Sequence, residues 1–290
     1  MVWEEKSCEA PPYPDSPATK ENLIMRMVKI GKATISGLCI GGNPFSGFSH
    51  QGEKKSKEMI EYYTPDRIKQ TLKEAEQAGV NTFFGRTDDH ILGIVKDYRD
   101  QGSAIQWFAQ VCEDSGDPGS WRKWLKASID IGATGAYLHG GIVDYWYANK
   151  MFDCFKEALD IMRKADIVAG FAGHNPAAHQ WICDNLELDF QMCSHYNPTD
   201  RSKSPHHISV GEKWNDEDRA LIIKTIARVQ KPVVHYKVFA GGNKSIVPAF
   251  AFLGNVVRPQ DIVLVGVFTK DNPNMINEDV ALFEKYIDKT

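Results

Sequence analysis

The chain has 290 residues, of which 42% are hydrophobic and 25% charged, and its formal net charge is −4. This length and composition are typical of one globular barrel-type α/β domain with a sizeable core. The mild negative charge excludes a global basic field for nucleic acid, and no stretch approaches the roughly 18 apolar residues of a membrane helix. The six cysteines lack paired spacing, which favours a cytoplasmic location.

The first half of the chain alternates between strand and helix patterns. Residues 1–26 are acidic and Pro-rich, unlike a signal peptide, and we expect a surface or flexible extension. MVKIGKATISGLCIGG predicts a short hairpin and a first buried strand ending near Ile40. DRIKQTLKEAEQAG predicts a helix with Asp66 as its N-cap and Gly79 as its stop. VNTFFG and AIQWFAQ predict strands two and three, and WRKWLKASIDIGA predicts the next helix.

The second half continues this alternation. GAYLHGG predicts strand four, MFDCFKEALDIMRKA predicts a helix, and strands five to eight are IVAGFAGH, DFQMCSHYN, PVVHYKVFAG and IVLVGVF. Further helical stretches lie near 177–185, 215–229, 244–254 and 276–287. Such alternation predicts parallel strands in either an open doubly wound sheet or a closed barrel. The count of eight favours a (β/α)8 TIM barrel that forms a single domain over 27–290.

Four of these strands close on a histidine, namely His139, His174, His195 and His235. In a barrel the carboxyl ends of all strands surround one mouth, so we expect these imidazoles to gather there. Two insertions, 43–65 and 198–214, would project from the same end. A single histidine at a strand end is usually a hydrogen-bonded structural residue, but four at successive strand ends favour a functional site.

Two chemistries fit these histidines. As metal ligands, His139, His174 and His195 would hold zinc or manganese, although the chain lacks a close H-x-H or H-E-x-x-H pair. As proton carriers, His174 and His195 would act with Lys237 and His139. Asp88, after strand two, would orient a partner. The sequence leaves both chemistries open.

Lys237 lies in the mostly apolar strand HYKVFAGG, where an unpaired ammonium is costly. On a regular strand His235 and Lys237 share one face, and Tyr236 points to the other. If the first face lines the barrel, Lys237 is placed to hold a substrate oxygen, to act as an acid–base group or to form a Schiff base. The alternative is a lysine that snorkels at the rim.

Other residues near the predicted mouth are expected to bind substrate: Asn43, His50, Tyr196, His235, Gly241 and Gly242. The two glycines follow strand seven, where barrel loops often cradle a phosphate, and tight turns are the alternative. The segment DYWY after strand four is typical of aromatic platforms that bind sugars. The chain contains neither a Rossmann nor a P-loop motif.

The order of these motifs resembles that of the aldo/keto reductase barrels. MVKIGKATISGLCIGGNPFSG is similar to the hairpin and first strand of that family, and QAGVNTFFGRTDDHILG to its second strand and following loop. AYLHGG, LDFQMCSHYNP, VVHYKVFAGG and IVLVGVF are similar to strands four, six, seven and eight. The likeness spans most of residues 27–285. It implies a TIM barrel and raises NADP as a cofactor.

The catalytic residues of that family are mostly missing here. The family places an Asp and a Tyr around the end of strand two, a Lys at the end of strand three and a His at the end of strand four. In this chain Gly85 stands at the Asp position, TDDH offers no tyrosine, and the third strand ends at Gln110. Only His139 matches, and the basic residues after strand eight are reduced to Lys270.

Three functions therefore stay open. The first is an enzyme that uses His/Lys/Asp acid–base chemistry, with or without a divalent metal, on a small polyhydroxylated or keto, sugar-like substrate. Lyase, epimerase, isomerase and hydrolase reactions all fit it. The second is a divergent NADP-dependent reductase, and the third is a non-catalytic binding barrel. In each case we expect a small molecule as partner and neither nucleic acid nor a membrane, and the sequence does not indicate the oligomeric state.

Overall fold

The computed structural model describes residues 25–206 and 213–288. These residues form ten strands: β1 Met27–Ile30, β2 Ala33–Ser36, β3 Leu38–Gly41, β4 Thr82–Arg86, β5 Gln106–Val111, β6 Gly135–Leu138, β7 Val168–Gly173, β8 Phe190–Ser194, β9 Val233–Tyr236 and β10 Ile262–Gly266. β1 and β2 form an antiparallel hairpin. The remaining eight strands close into a barrel in chain order, with β10 beside β3. The predicted (β/α)8 barrel with an N-terminal hairpin is confirmed.

Helices cover the outside of the barrel: α1 Glu53–Tyr62, α2 Pro65–Gln77, α3 Asp89–Asp100, α4 Trp121–Asp130, α5 Gly140–Ala148, α6 Phe152–Lys164, α7 Pro176–Asn185, α8 Asp216–Ile226, α9 Ile246–Leu253 and α10 Met275–Phe283. Short 3-10 turns lie at Pro44–Ser46 and Ala240–Gly242, and a π-turn lies at Glu284–Asp288. Within the two described ranges, no helix is long and apolar enough to cross a membrane.

Three helices were not predicted from the sequence. α1 lies inside the insertion 43–65 and buries only Met59, so its apolar pattern is weak. α5 is buried on most sides and therefore lacks the 3.6-residue alternation of a surface helix. α3 begins directly after the loop that follows β4. α2 starts at Pro65 with Thr64 as its N-cap, so the predicted cap at Asp66 is wrong; proline suits the first helical position because it has no N–H to satisfy.

The hairpin closes the N-terminal end of the barrel. Val28, Ile30 and Ile35 are buried and pack with the inward-facing strand residues. The hairpin turn needs a glycine at Gly31, which has φ +54° and lies against the carboxylate of Asp189, where a Cβ would come within 2.9 Å. With this end covered, a site has room only at the carboxyl ends of the strands.

Large rings fill the barrel interior. The ring centroids of Phe84 and Phe108 lie 4.9 Å apart, and those of Phe108 and Phe190 lie 5.6 Å apart. Tyr137 contacts the same group, 6.4 Å from Phe190. Because side chains alternate along a strand, these rings show which residues point inwards at the mouth. The opposite faces of the strands pack under the helices.

The predicted extension 1–26 lies outside the described residues except for Met25 and Arg26. Met25 is buried, and the Arg26 backbone N–H donates to Asp288 Oδ2 at 3.1 Å. The boundary between an extension and a single domain over 27–290 stays a prediction.

Candidate active site

Five polar side chains form a ring at the mouth of the barrel. Each lies two residues beyond an inward-facing member of the interior cluster, on β4, β5, β6, β7 and β9 in turn: Arg86, Gln110, His139, His174 and Tyr236. Strand register supports this, since Arg86 pairs with Gln110. The barrel thus brings together His139 and His174 from the predicted set, and we call these five residues the mouth ring.

Two members of the mouth ring are linked to a buried carboxylate. Asp144 on α5 is 4% exposed, and its Oδ2 lies 2.8 Å from Nδ1 of His174. The backbone N–H groups of His174 and Asn175 also donate to this carboxylate. On the other side of the imidazole, the Tyr236 hydroxyl lies 3.3 Å from Nε2 of His174 and 3.2 Å from the Gly173 carbonyl oxygen. We call Asp144, His174 and Tyr236 the Asp–His–Tyr chain.

Burial shifts the pKa values of Asp144 and Tyr236 in the Asp–His–Tyr chain. It raises the pKa of Asp144 to about 6, although the backbone N–H groups, His179 and Arg201 act to lower it. Burial, followed by the charge of Asp144, raises the pKa of Tyr236 well above its usual range. Near neutral pH the phenol therefore keeps its hydrogen, while Asp144 can change its protonation state.

His139 is held as a neutral hydrogen-bond donor. It caps α5, and its Nδ1 accepts from the Gly141 backbone N–H at 3.2 Å, so the ring hydrogen lies on Nε2. Burial lowers the pKa of His139 well below its usual value, and the charges of Arg201, His174, Arg86 and Lys237 lower it further. The sequence had proposed His139 both as a catalytic residue and as a metal ligand.

Positive side chains near the mouth come from the ends of β4 and β9 and from the loop after β8. Arg201, in the loop after β8, is 4% exposed, and its charge acts on His139, Asp144 and Tyr236. Lys237 directly follows β9 and has φ +54°, which turns its side chain away from the regular strand direction.

Lys237 and Arg86 contact the loop that follows β3. The Lys237 Nζ lies 2.6 Å from Nε2 of His50. The Arg86 guanidinium stacks 4.5 Å from the ring centroid of Phe48, and its Nε lies 3.5 Å from Oδ2 of Asp88. The predicted residues Lys237, His50 and Asp88 thus all lie at or beside the mouth.

His195 and His235 lie on the outer side of the barrel wall, away from the mouth ring. Nε2 of His195 is 2.9 Å from Nδ1 of His235, and Nε2 of His235 is 3.2 Å from Oδ2 of Asp261. Arg258 binds Asp261 with two contacts of 2.7 Å. The face of β9 that carries Tyr236 lines the barrel. The face that carries His235 therefore points outwards, unlike the alternative in which it lines the barrel. Strands buried on both faces give no sequence signal for that choice.

The remaining predicted residues lie at the rim. Asp88 caps α3 by accepting from the Ile91 backbone N–H, and Asn43 is exposed. Tyr196 is buried and contacts Trp214 at 5.7 Å between ring centroids. Gly241 lies under His50, and Gly242 accepts a hydrogen bond from Gln51. The glycine loop is thus covered by the segment after β3.

A cavity of about 440 Å³ opens beside the mouth, between the loop after β3 and the starts of α2 and α3. Its walls are mostly apolar, with Phe45, Ile60 and Tyr63 among them, and Asp88 and His90 supply polar groups. Asp88 connects this cavity to Arg86 of the mouth ring.

The three proposed metal ligands do not share one site. His139 and His174 face the mouth, whereas His195 binds His235 behind the wall. Among residues 25–206 and 213–288, no group of three His, Cys, Asp or Glu side chains is arranged to hold a metal ion. The physical reason is the alternation of β8, which turns Phe190 and Met192 inwards and places His195 on the other face.

Several site residues were missed from the sequence. Asp144 lies in DYWY, which the sequence suggests as a sugar-binding platform but does not connect to His174, and Tyr236 is predicted only to lie on the face opposite His235. Arg86 stands in the run FFGRTDDH, where a basic residue at the end of an apolar strand was the available signal. Nothing in the sequence separates Arg201 from an ordinary loop arginine.

Comparisons with known proteins agree with this architecture. The "putative aldo-keto reductase" from Pseudomonas aeruginosa superposes with a TM-score of 0.60 at 14% identity, covering 92% of this chain and 99% of that one. The glycerol dehydrogenase from Gluconobacter oxydans gives 0.50 at 11% identity, covering 90% and 96%. A mutant of Gox0644 in complex with NADPH gives 0.53 at 11% identity, covering 89% and 88%. This chain thus shares its barrel fold with these proteins. No family model and no curated protein matches the sequence.

The mouth of this barrel carries other residues than the family resemblance implies. Where the family resemblance implies Asp, Lys and His at the ends of the second, third and fourth barrel strands, this chain directs Arg86, Gln110 and His139 inwards. Gly85 stands where the resemblance implies the carboxylate, with Arg86 directly after it, and the amide of Gln110 stands where it implies the ammonium. The Asp, His and Tyr side chains that contact one another here lie on α5, directly after β7 and at the end of β9.

Proposed function

We propose that this barrel is an enzyme that moves a proton on a small polyhydroxylated or keto substrate, with Tyr236 as the group that exchanges the proton. The contact between Tyr236 and His174, backed by buried Asp144, carries this proposal. Proton transfer by a positioned side chain is the central step of isomerases, epimerases and lyases. The reaction type among these stays open.

The hydrogen-bond pattern of Tyr236 supports a role in proton transfer. A phenol has one hydrogen, and its two neighbours are the Gly173 carbonyl oxygen and the His174 Nε2 atom. The carbonyl only accepts, so a protonated Asp144–His174 pair donates from Nε2 while Tyr236 donates to Gly173. Once the pair loses its proton, Nε2 becomes an acceptor and Tyr236 turns its hydrogen towards it. The Asp–His–Tyr chain thus holds a proton at low pH and can accept one at higher pH.

Other mouth residues fit substrate binding. His139 offers an Nε2–H donor, because its Nδ1 is occupied by Gly141. Gln110 adds an amide group to the ring, and Lys237 lies beside it with a flexible ammonium. A substrate carbonyl or hydroxyl that bonds to these donors would lie close to the Tyr236 hydroxyl. Donors aimed at an oxygen where negative charge develops stabilise enolate-like transition states.

The residues of this chain do not fit NADP, the cofactor that the resemblance to the aldo/keto reductases suggests. Lys270, the basic residue in the loop after β10, pairs with Glu58 at 2.9 Å. The glycine loop after β9 is covered, since a Cβ at Gly241 would meet His50 at 2.5 Å. We therefore place no hydride step in the reaction. The proposed cytoplasmic location and small-molecule substrate rest on the sequence and this site.

Solvent exchange tests the proposal. The protein is incubated in D2O with a panel of ketoses, aldoses, hydroxy acids and keto acids, and loss of C–H signal is followed by proton NMR. We expect at least one compound to exchange, and Tyr236→Phe to lower its rate at least about 100-fold because the ring stays and the acidic hydrogen goes. Tyr286→Phe, at the π-turn far from the mouth, is the matched control.

Two outcomes would contradict the proposal. One is exchange by Tyr236→Phe at the wild-type rate, and the other is a panel in which no compound exchanges. Binding of a panel compound without exchange would favour the non-catalytic barrel instead.

A further inference from the structure

A second histidine, His179, lies close to the carboxylate of Asp144. It belongs to α7, four residues after the N-cap Asn175, and is 0% exposed. Its Nε2 atom and Oδ1 of Asp144 lie on the same side of Gly173, where a Cβ would come within 2.9 Å of the first atom and 3.3 Å of the second. The missing side chain at Gly173 therefore lets the imidazole and the carboxylate approach each other.

A neighbouring amide fixes one hydrogen of His179. Its Nδ1 lies 2.6 Å from Oε1 of Gln191, whose amide nitrogen donates to Cys183 Sγ at 3.0 Å. A carbonyl oxygen only accepts, so Nδ1 carries a hydrogen and Nε2 of the neutral imidazole carries a lone pair. Within the part of the chain that the structure describes, this buried Nε2 atom has no hydrogen-bond partner. A lone pair beside a buried carboxylate is costly, and a proton on Nε2 would turn this atom into a donor.

We propose that His179 is a positioning residue of the Asp–His–Tyr chain, which carries a proton on Nε2 and thereby holds Asp144 in its ionised form. An N–H at this position gives the buried negative charge a positive neighbour. Ionised Asp144 in turn lets His174, which contacts its Oδ2 atom, accept the Tyr236 hydrogen. The inference rests on the proposed function for the part that Asp144 plays in proton exchange.

The charges around this pair agree with that role. Other titratable groups face the pair from neighbouring elements: His174, Tyr236, Arg201, Cys183 and Cys193. Burial, the largest effect, raises the pKa of Asp144, while His179 and Arg201 act to lower it. Burial also raises the pKa of the Cys193 thiol, 3.6 Å from Nδ1 of His179, well above its usual value, so this thiol stays uncharged. From α7, the positive charge that acts on Asp144 thus comes from His179.

Carboxyl NMR of the full chain tests this role without any substrate. The aspartate carboxyl carbons are labelled with carbon-13, Asp144→Asn assigns the Asp144 signal, and that signal is followed across the acidic and neutral range. His179→Asn keeps the donor to Gln191, because the amide nitrogen of asparagine reaches the place of Nδ1, but it removes Nε2. We expect the titration midpoint of Asp144 to rise by about 1 pH unit or more in this variant, as for a carboxylate that loses a positive neighbour. Cys183→Ala, which changes the same buried cluster, is the control and should keep the wild-type midpoint.

Two further readouts separate this role from a purely structural one. In His179→Asn the rise of proton exchange with pH should move upwards by the same amount as the Asp144 midpoint, with the rate at high pH retained. In the wild-type chain, nitrogen-15 NMR of labelled histidines should show both ring nitrogens of His179 protonated at the pH where Asp144 is half ionised. This second readout does not depend on the folding of any variant.

The results that would overturn the inference are an unchanged Asp144 midpoint in His179→Asn and an unprotonated Nε2 in the wild type. An equal rise of the midpoint in Cys183→Ala does the same, because the buried cluster and not the imidazole would then set it. Both NMR measurements can be made whether or not any panel compound exchanges. Failure of the proposed function and failure of this inference are therefore distinguishable.

Discussion

At the scale of single residues, the absence of a side chain at Gly140 allows the contact between His174 and Tyr236. A methyl group there would lie 2.8 Å from both groups, closer than real Cβ contacts allow, so one ring would have to move. The first position of α5 tolerates alanine in its backbone, so folding should change little. We expect Gly140→Ala to lower the rate of solvent exchange about 10-fold or more while the midpoint of thermal unfolding stays within a few degrees. An unchanged rate would show that the 3.3 Å contact is dispensable.

The residue scale also shows what sequence reasoning could reach. That His139 and His174 follow β6 and β7 was readable, because each apolar run ends visibly. Which neighbour points inwards was not readable on β9, since Val233, Val234 and His235 are all buried. Strands covered on both faces carry no polar alternation that fixes the side. The sequence therefore drew attention to Lys237, which lies beside the mouth, but not to Tyr236.

At the scale of elements, the outer histidines join neighbouring strands on the outer side of the barrel wall. The contacts from His195 through His235 to Asp261 tie β8, β9 and the start of β10 together, and Asp261 also accepts the Val233 backbone N–H at 2.9 Å. Removing its charge leaves the Arg258 guanidinium without its carboxylate. We expect Asp261→Asn to lower the free energy of unfolding by about 3 kcal/mol. Urea unfolding measures this, with exposed Asp160→Asn as a control that should change it little.

Elements also differ in how readily their patterns predicted them. The eight barrel strands were visible as apolar runs bounded by glycine and polar residues. α3 was not predicted, although it buries Ile91, Ile94, Val95 and Tyr98 at a helical spacing that is visible in the sequence. α5 was a harder case because its burial on most sides removes the periodic signal. α2 begins at Pro65, one residue before Asp66, the residue predicted as its N-cap.

At the scale of the whole molecule, buried acids give stability an unusual dependence on pH. Burial raises the pKa of Asp279 to about 8 and that of Asp144 to about 6. Burial would also raise the pKa of Asp261, but His235 and Arg258 bring it down to about 2. The first two acids favour the folded state while protonated, and Asp261 favours it while ionised. Their effects therefore oppose each other across the acidic range.

The signs follow from proton binding. Between about pH 4 and the raised values, the folded chain holds protons that the unfolded chain releases, so the free energy of unfolding falls by about 1.4 kcal/mol per pH unit for each such acid. Below about pH 4 the contribution of Asp261 is lost as pH falls towards 2. We expect the free energy of unfolding to be highest near pH 4 to 5 and to decline towards pH 8. Proton exchange, in contrast, should rise through pH 6 because Asp144 must be ionised for His174 to accept the Tyr236 hydrogen.

Replacing Asp279 tests the part of this pH dependence of the free energy of unfolding that does not involve the proposed active site. Asparagine has the shape of the protonated acid but cannot ionise, so Asp279→Asn should unfold like wild type near pH 4, be somewhat more resistant to urea at pH 5 and be much more resistant at pH 8. Urea titrations at these pH values measure the change, and the pH profile of proton exchange should keep its rise near 6, because Asp144 is untouched. A variant that loses stability between pH 5 and 8 as steeply as wild type would show that the ionisation of Asp279 in α10 does not govern the decline.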